Sequence, residues 1–243
     1  MPGYDTHIRT LAFGGRDYRI RSLIDAQQYS DPDLAAERAG ISSAQWSLFG
    51  HVWPCGRLLA ETMAGYDITG RRILEIGCGL GLASLVLHQR GADITASDCH
   101  PLAEVFLAYN AALNALPALR YRALPWSTDN DVLGRFDLII GSDVLYERGQ
   151  VEVLVALLQR HAQPACEVLI ADPGRGNSGA FTRALAAQGY AGSEQRGRLD
   201  DDDRPPYRGR LLRYVRVAAS GSPTPAVETK RANAADAVAE ALA

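Results

Sequence analysis

The chain has 243 residues, 47% of them hydrophobic and 22% charged, with a formal net charge of −3, the make-up of a globular protein long enough to bury a full core. That charge balance speaks against an electrostatic grip on nucleic acid, which needs clustered Lys and Arg, and no run approaches the about 18–20 apolar residues of a membrane helix. Cys55, Cys78, Cys99 and Cys166 lack the short spacings of a zinc site or a disulfide framework, and the first residues lack a basic segment followed by an apolar one, so the expected setting is the cytoplasm and no metal is expected.

Residues 1–50 read as an N-terminal extension, with a strand or hairpin over about 8–24 and then a polar stretch around Asp31-Pro32-Asp33. From about residue 71, β-rich runs alternate with helical spacing. Strands are predicted at 72–76, 93–97, 119–124, 136–142 and 167–171, with helices at 82–90, from Pro101 to about 114, at 149–161 and at 177–188. Such alternation gives a parallel sheet with helices on both faces. Two last strands, near 190–197 and 207–217, have no helix between them, so the seven-stranded, mostly parallel sheet should end in an antiparallel hairpin. The core domain is thus expected over 51–217. The tail at 218–243, rich in Ala, Ser, Pro and Thr, reads as disordered, with a short frayed helix at 232–242.

The first core strand runs into Glu75-Ile76-Gly77-Cys78-Gly79-Leu80-Gly81. The pattern is Glu-x-Gly-x-Gly-x-Gly, not the Gly-x-Gly-x-x-Gly of dinucleotide sites. Gly77, Gly79 and Gly81 permit a tight turn that approaches a ligand without Cβ obstruction. A carboxylate at Glu75 repels a pyrophosphate but suits the ammonium of an amino-acid moiety, directly or through water. Asp98 ends the second strand, where a carboxylate can accept ribose hydroxyls. A ligand with both an amino-acid end and a nucleoside end fits this pair, and S-adenosylmethionine is such a molecule.

Four stretches narrow the reading: residues 50–60 containing Trp53-Pro54, the glycine loop, Gly141-Ser142-Asp143-Val144-Leu145-Tyr146-Glu147, and Ala171-Asp172-Pro173-Gly174-Arg175. Together they resemble the seven-β-strand, methyltransferase-like family of protein lysine N-methyltransferases, similar to the electron-transfer-flavoprotein β-subunit lysine methyltransferases and their bacterial relatives. The resemblance implies the Rossmann-like class I methyltransferase fold, with S-adenosylmethionine held by Trp53, Glu75, Gly77, Cys78, Gly79, Gly81, Asp98, Trp126 and Ser142. It implies that Trp53 lids the methionine end, where a cation–π contact with the sulfonium is reasonable, and that Trp126 walls the adenine. It assigns Asp143 and Tyr146 to the substrate side, Asp143 orienting an incoming amine and Tyr146 walling its channel. Asn110 matches a recurrent asparagine that is either functional or structural. Arg175 fixes a loop carboxylate or meets substrate, and the run Asp200-Asp201-Asp202-Asp203 attracts a basic substrate or forms a solvated hairpin tip.

The expected activity is methyl transfer to a protein lysine by in-line displacement. The alternative is a small-molecule methyltransferase on the same fold, since fold does not fix substrate. An NAD(P)-dependent oxidoreductase lacks its loop here, and a dead scaffold would not keep Glu75, the glycines and Asp98 together. The partner is a protein or a small molecule, with no nucleic acid and no membrane. Oligomeric state is not legible.

Overall fold

A computed structural model describes residues 3–126, 133–146, 149–174, 176–201 and 204–218. Glu147, Arg175, the side chains of the aspartate run at 200–203 and the tail beyond residue 218, with its expected helix at 232–242, lie outside the described residues.

The chain opens with a two-stranded hairpin, β1 (Thr6–Phe13) and β2 (Arg16–Leu23). A four-residue helix α1 (Ala35–Arg38) and a 3-10 turn (Trp46–Gly50) follow. Then come α2 (Pro54–Gly65), β3 (Arg72–Ile76), α3 (Leu82–Gln89), β4 (Asp93–Asp98), α4 (Ala103–Leu113) and β5 (Arg120–Ala123). The chain continues through β6 (Phe136–Ser142), α5 (Gln150–His161), β7 (Ala162–Asp172), α6 (Ser178–Ala186), β8 (Ala191–Asp201) and β9 (Arg204–Arg216).

Seven strands form one sheet in the order β5-β4-β3-β6-β7-β9-β8. The pairs among β3 to β7 are parallel, and β9 runs antiparallel to both β7 and β8. The expected mostly parallel sheet with an antiparallel C-terminal hairpin is the one observed. Strand order reverses between β3 and β6, so the loops leaving their carboxyl ends diverge and leave a crevice, the place where open α/β sheets take ligands.

Residue alternation on the central strands assigns the two faces. Ile73, Leu138, Ile140 and Leu169 turn toward α2, α3 and α4, whereas Leu74, Ile139, Val168 and Ile170 turn toward α5 and α6. All eight are essentially inaccessible, and each such aliphatic side chain contributes about 1.5–3 kcal/mol by leaving water. The N-terminal residues join the first face. Phe13, Tyr18, Ile20, Leu23, Trp46 and Phe49 share the core of α2 to α4. Trp46 is the hub, with ring centroids 5.6 Å from Tyr4, 6.0 Å from Tyr29 and 5.9 Å from Phe49.

Several boundaries differ from the sequence expectation: the last two strands extend toward each other, to Asp201 and from Arg204, and two further shifts have a local cause. The helix expected from Pro101 begins at Ala103, because residues 101 and 102 form a turn in which the Ala103 amide donates to the His100 carbonyl (3.1 Å). Strand β7 begins at Ala162, not Glu167, directly after α5. Its pairing with β6 slips between Phe136 and Leu138. Pro164 lies in that stretch and has no amide for a ladder, which interrupts the pattern on which strand recognition relies.

Toward the end of the sheet away from the crevice, Glu167 on the internal strand β7 gathers three donors. The Tyr66 hydroxyl and Arg213 Nε bond its Oε1, and Arg71 lies 2.7 Å from Oε2. This cluster ties the residue after α2 and the start of β3 to β7 and β9. Burial alone would raise the Glu167 pKa, but the donors outweigh it and hold the carboxyl below its ordinary value. A group with a depressed folded pKa stabilises above its unfolded value and loses that contribution as pH falls through the folded one. Glu167→Ala is therefore expected to lower unfolding stability at pH 7 by roughly 1.5–3 kcal/mol. The gap from the unaltered chain should shrink as the medium is acidified below about pH 4, as read by urea titrations at both pH values.

Candidate active site

The crevice is a cavity of about 690 Å³. Its walls include Trp53, Glu75, Gly77, Cys78, Gly79, Asp98, Trp126, Ser142, Asp143 and Tyr146, so ten of the eleven expected site residues meet on one surface. Gly81 does not line it. A Cβ at Gly81 would stand 2.2 Å from Leu107 Cδ1, so its smallness serves the packing of α3 against α4.

The floor is the turn from β3 into α3. Glu75 is 2% exposed, and its Oε2 accepts the Ser84 amide (2.9 Å) and the Ser84 hydroxyl. The acidic group thus sits at the amino end of α3, where unpaired helix amides favour negative charge. No donor meets Oε1 among the described residues. Burial pushes the Glu75 carboxyl up to about 7, partly offset by the two Ser84 bonds and reinforced by the nearby Asp98 charge.

Asp98 closes β4. Its Oδ2 accepts the Gly79 amide (2.8 Å) and its Oδ1 the His100 amide (2.8 Å), so the carboxylate fixes the glycine turn while facing the cavity. Burial raises its pKa against those bonds. Gly79 has φ +51°, and a Cβ there would lie 2.7 Å from the Phe49 carbonyl oxygen. Any larger residue would drive the 3-10 turn off the loop.

Trp126 lies against the same turn, its Cζ2 being 3.3 Å from where a Gly77 Cβ would stand. Its carbonyl accepts Arg160 (2.7 Å), and its buried Nε1 meets no hydrogen-bond partner among the described residues. Trp53 precedes Pro54, the first residue of α2. Its Nε1 donates to the Leu48 carbonyl (2.7 Å), which fixes the indole at the cavity wall.

The opposite wall comes from the carboxyl end of β6. Asp143 has φ +52°, a left-handed conformation uncommon outside glycine. Its amide donates to the Ala171 carbonyl (2.8 Å), extending the β6–β7 pairing one residue past Ser142 and holding the strained backbone. Tyr146, 39% exposed, stands at the rim. Asp172 carries a different duty from the site proper: it binds Arg210 (2.6 Å) and accepts the Gly174 amide (2.9 Å).

Sequence reasoning missed the wall supplied by Ile41, Gln45, Leu48, Phe49 and His51. Phe49 stacks on His100, centroids 3.8 Å apart at 14°, and burial pushes the His100 imidazole down to about 4, so it is neutral near pH 7. The one local signal was the aromatic and apolar crowding of residues 46–49. Asn110, whose role the sequence left open, is buried in contact with β2 and the glycine turn. Among the described residues, no cluster of His, Cys, Asp and Glu fits a metal ion, and no helix is long and apolar enough to cross a membrane.

The architecture matches solved methyltransferases. Magnesium protoporphyrin IX methyltransferase from Synechocystis, solved with bound SAM, superimposes with a TM-score of 0.52 at 19% identity, over 67% of this chain and 78% of that one. At that identity the likeness defines the class of fold, Rossmann-like with a seven-stranded sheet. The family is defined by sequence: residues 38–183 match the lysine methyltransferase model, more than half of the chain, and the protein belongs to that family. EEF1A lysine methyltransferase 3 of Mus musculus is 30% identical over 129 residues, 51% of this chain and 55% of its own length. The electron transfer flavoprotein beta subunit lysine methyltransferase of Danio rerio is 31% identical over 137 residues, 54% of this chain and 50% of its own. The chain thus spans about half the length of these curated relatives.

The Glu75 environment sets a pH dependence for the ligand-free protein. With its folded pKa raised to about 7, the folded chain keeps a proton that the unfolded chain releases above about pH 4.5, so this group lowers stability progressively from there to pH 7. The full effect is on the order of 3 kcal/mol. Glu75→Gln keeps an acceptor for Ser84 and removes the titration. It is expected to raise the thermal midpoint by several degrees at pH 7.5 and to leave it almost unchanged at pH 4.5, measured by calorimetry.

Proposed function

We propose that the chain transfers the methyl group of S-adenosylmethionine to the side-chain amine of a protein lysine, in a reducing cytoplasmic setting. The observation that carries this reading is that Glu75 and Asp98, at neighbouring strand ends, share one cavity with Asp143 and Tyr146. Membership of the lysine methyltransferase family supports the same chemistry, and the four cysteines being free supports the setting. The two relatives named above act on different proteins, so the reading stops at lysine in a protein and names no target.

The residues present fit the cofactor. Glu75 offers a carboxylate to an ammonium, Asp98 offers one to ribose hydroxyls, and the glycine turn leaves room that a Cβ would fill. When bound, S-adenosylmethionine supplies an electrophilic methyl carbon on a sulfonium. The chain's own task is then to hold the amine in line and exclude water, which can lower the barrier by several kcal/mol. An ordinary lysine amine, with a pKa of about 10.4, must lose a proton before attack. Trp53, Trp126 and Tyr146 give the cavity aromatic walls that favour the neutral amine by desolvation. Asp143 accepts a hydrogen bond from that amine and so aims its lone pair. The rigid backbone at Asp143 fits this task, because a misplaced acceptor costs rate steeply.

Incubation of the purified protein with methyl-labelled S-adenosylmethionine and cell lysate should put label into protein, recovered as methyl-lysine after hydrolysis. Label confined to the low-mass fraction, or recovered as methyl-arginine, would overturn the reading. Asp143→Ala should abolish turnover yet leave S-adenosylmethionine affinity within a few fold. Glu75→Ala should weaken that affinity about tenfold or more by calorimetry.

A further inference from the structure

Asn110 on α4 and Asn114, the residue that caps its carboxyl end, hold the N-terminal hairpin by its backbone. Asn110 Oδ1 accepts the Arg21 amide (2.8 Å), and Asn110 Nδ2 donates to the Arg21 carbonyl (3.3 Å). One turn on, Asn114 Oδ1 accepts the Arg19 amide (2.8 Å), and its Nδ2 donates to the Arg19 carbonyl (2.8 Å). Residues 19 and 21 are two apart on β2, so their peptide groups point the same way, and two amides one helical turn apart meet them as a neighbouring strand would. The grip is reinforced by Arg21, whose guanidinium lies 4.7 Å from the Phe106 ring centre and 4.6 Å from that of Tyr109.

The two asparagines differ in where their further bond goes: Asn114 Nδ2 donates to the Asn110 carbonyl (2.7 Å), at its own end of the helix. Asn110 Nδ2 also donates to the carbonyl of Leu80 (3.3 Å), in the glycine turn itself. Leu80 precedes the left-handed N-cap Gly81, so its carbonyl stands outside the helical ladder of α3 and receives no intrahelical amide. Here the Ser84 amide goes to Glu75, and Asn110 supplies the donor that Leu80 would otherwise lack. Asn110 is fully buried, so water is not available to replace it. The bonds Ser84 to Glu75, Asn110 to Leu80 and Gly79 to Asp98 together fix both carboxylates and the turn between them.

We infer that Asn110 is a positioning residue for the cofactor: by holding the Leu80 carbonyl against the anchored hairpin it sets the glycine turn in its binding shape, while Asn114 only fastens the hairpin. This rests on the proposed use of S-adenosylmethionine. It makes the hairpin, which does not line the cavity, a contributor to cofactor affinity through one side chain.

The test compares Asn110→Ala and Asn114→Ala in the full chain, with thermal midpoints by calorimetry and S-adenosylmethionine affinity by titration well below each midpoint. Both variants should lose stability. Asn110→Ala alone should weaken S-adenosylmethionine by about tenfold, the effect of leaving one buried carbonyl unpaired and the turn unset. Asn114→Ala should stay within about twofold of the unaltered chain. If Asn110→Ala does not fold, Asn110→Ser, too short to bridge Arg21 and Leu80, takes its place with the same expectation. Equal weakening by both variants, or an unchanged affinity for Asn110→Ala, overturns the assignment while leaving the cofactor reading intact. Absence of S-adenosylmethionine binding by the unaltered chain would overturn the cofactor reading, and this inference with it.

Discussion

A carboxylate buried at the end of a strand and bonded to the first turn of the next helix governs this site. Glu75 takes the Ser84 amide and hydroxyl, and that contact makes β3, the glycine turn and α3 one unit. A charge in such a place is costly unless donors face it. The two bonds from Ser84 only partly compensate, and the carboxyl remains pushed up to about 7. The site therefore holds an acidic group poised between its two forms, one a cationic ligand would shift toward the ionised one. Asp98 repeats the design one strand over, with backbone amides in place of Ser84.

The arrangement is possible because strand order reverses between β3 and β6. β3 and β4 present the two carboxylates, β6 presents Asp143, and loops diverging from these ends leave room between them. Asp143 then sits where the β6–β7 pairing runs out, in a left-handed conformation that its amide bond to Ala171 maintains. Strain of this kind, held by surrounding bonds, is typical of working positions. The Glu167 cluster lies away from these strand ends, on β7 and β9, so the structural ion network and the cavity are kept apart along the strand direction.

Much of this was legible in the sequence, for physical reasons. The apolar runs of β3 and β6 and the glycine spacing between β3 and α3 are local signals, and local signals place Glu75, Asp98 and Asp143 at strand ends. Trp126 and Trp53 came from resemblance, and both line the cavity. The failures are equally physical. Pro164 breaks the pattern by which the start of β7 would be seen, and the contact of Gly81 with Leu107 on another helix adds, to the left-handed turn its spacing implies, a constraint that no local pattern records. The wall made by residues 41–51 depends on Phe49 meeting His100 and Gly79 across long chain separations, which no periodicity records.

The asparagine clasp on β2 touches main-chain groups alone. An amide that reads peptide groups is indifferent to the side chains they carry. Apart from Arg21, whose guanidinium packs on Phe106 and Tyr109, residues 16–23 can then drift in sequence without loosening the grip, provided an extended backbone and a buried inner face persist. The hairpin also precedes the span matched by the family model, which begins at residue 38. A fastening that recognises backbone shape and not residue identity lets dissimilar N-terminal segments be attached to one core. It also means that a search for kinship by residue identity would overlook them.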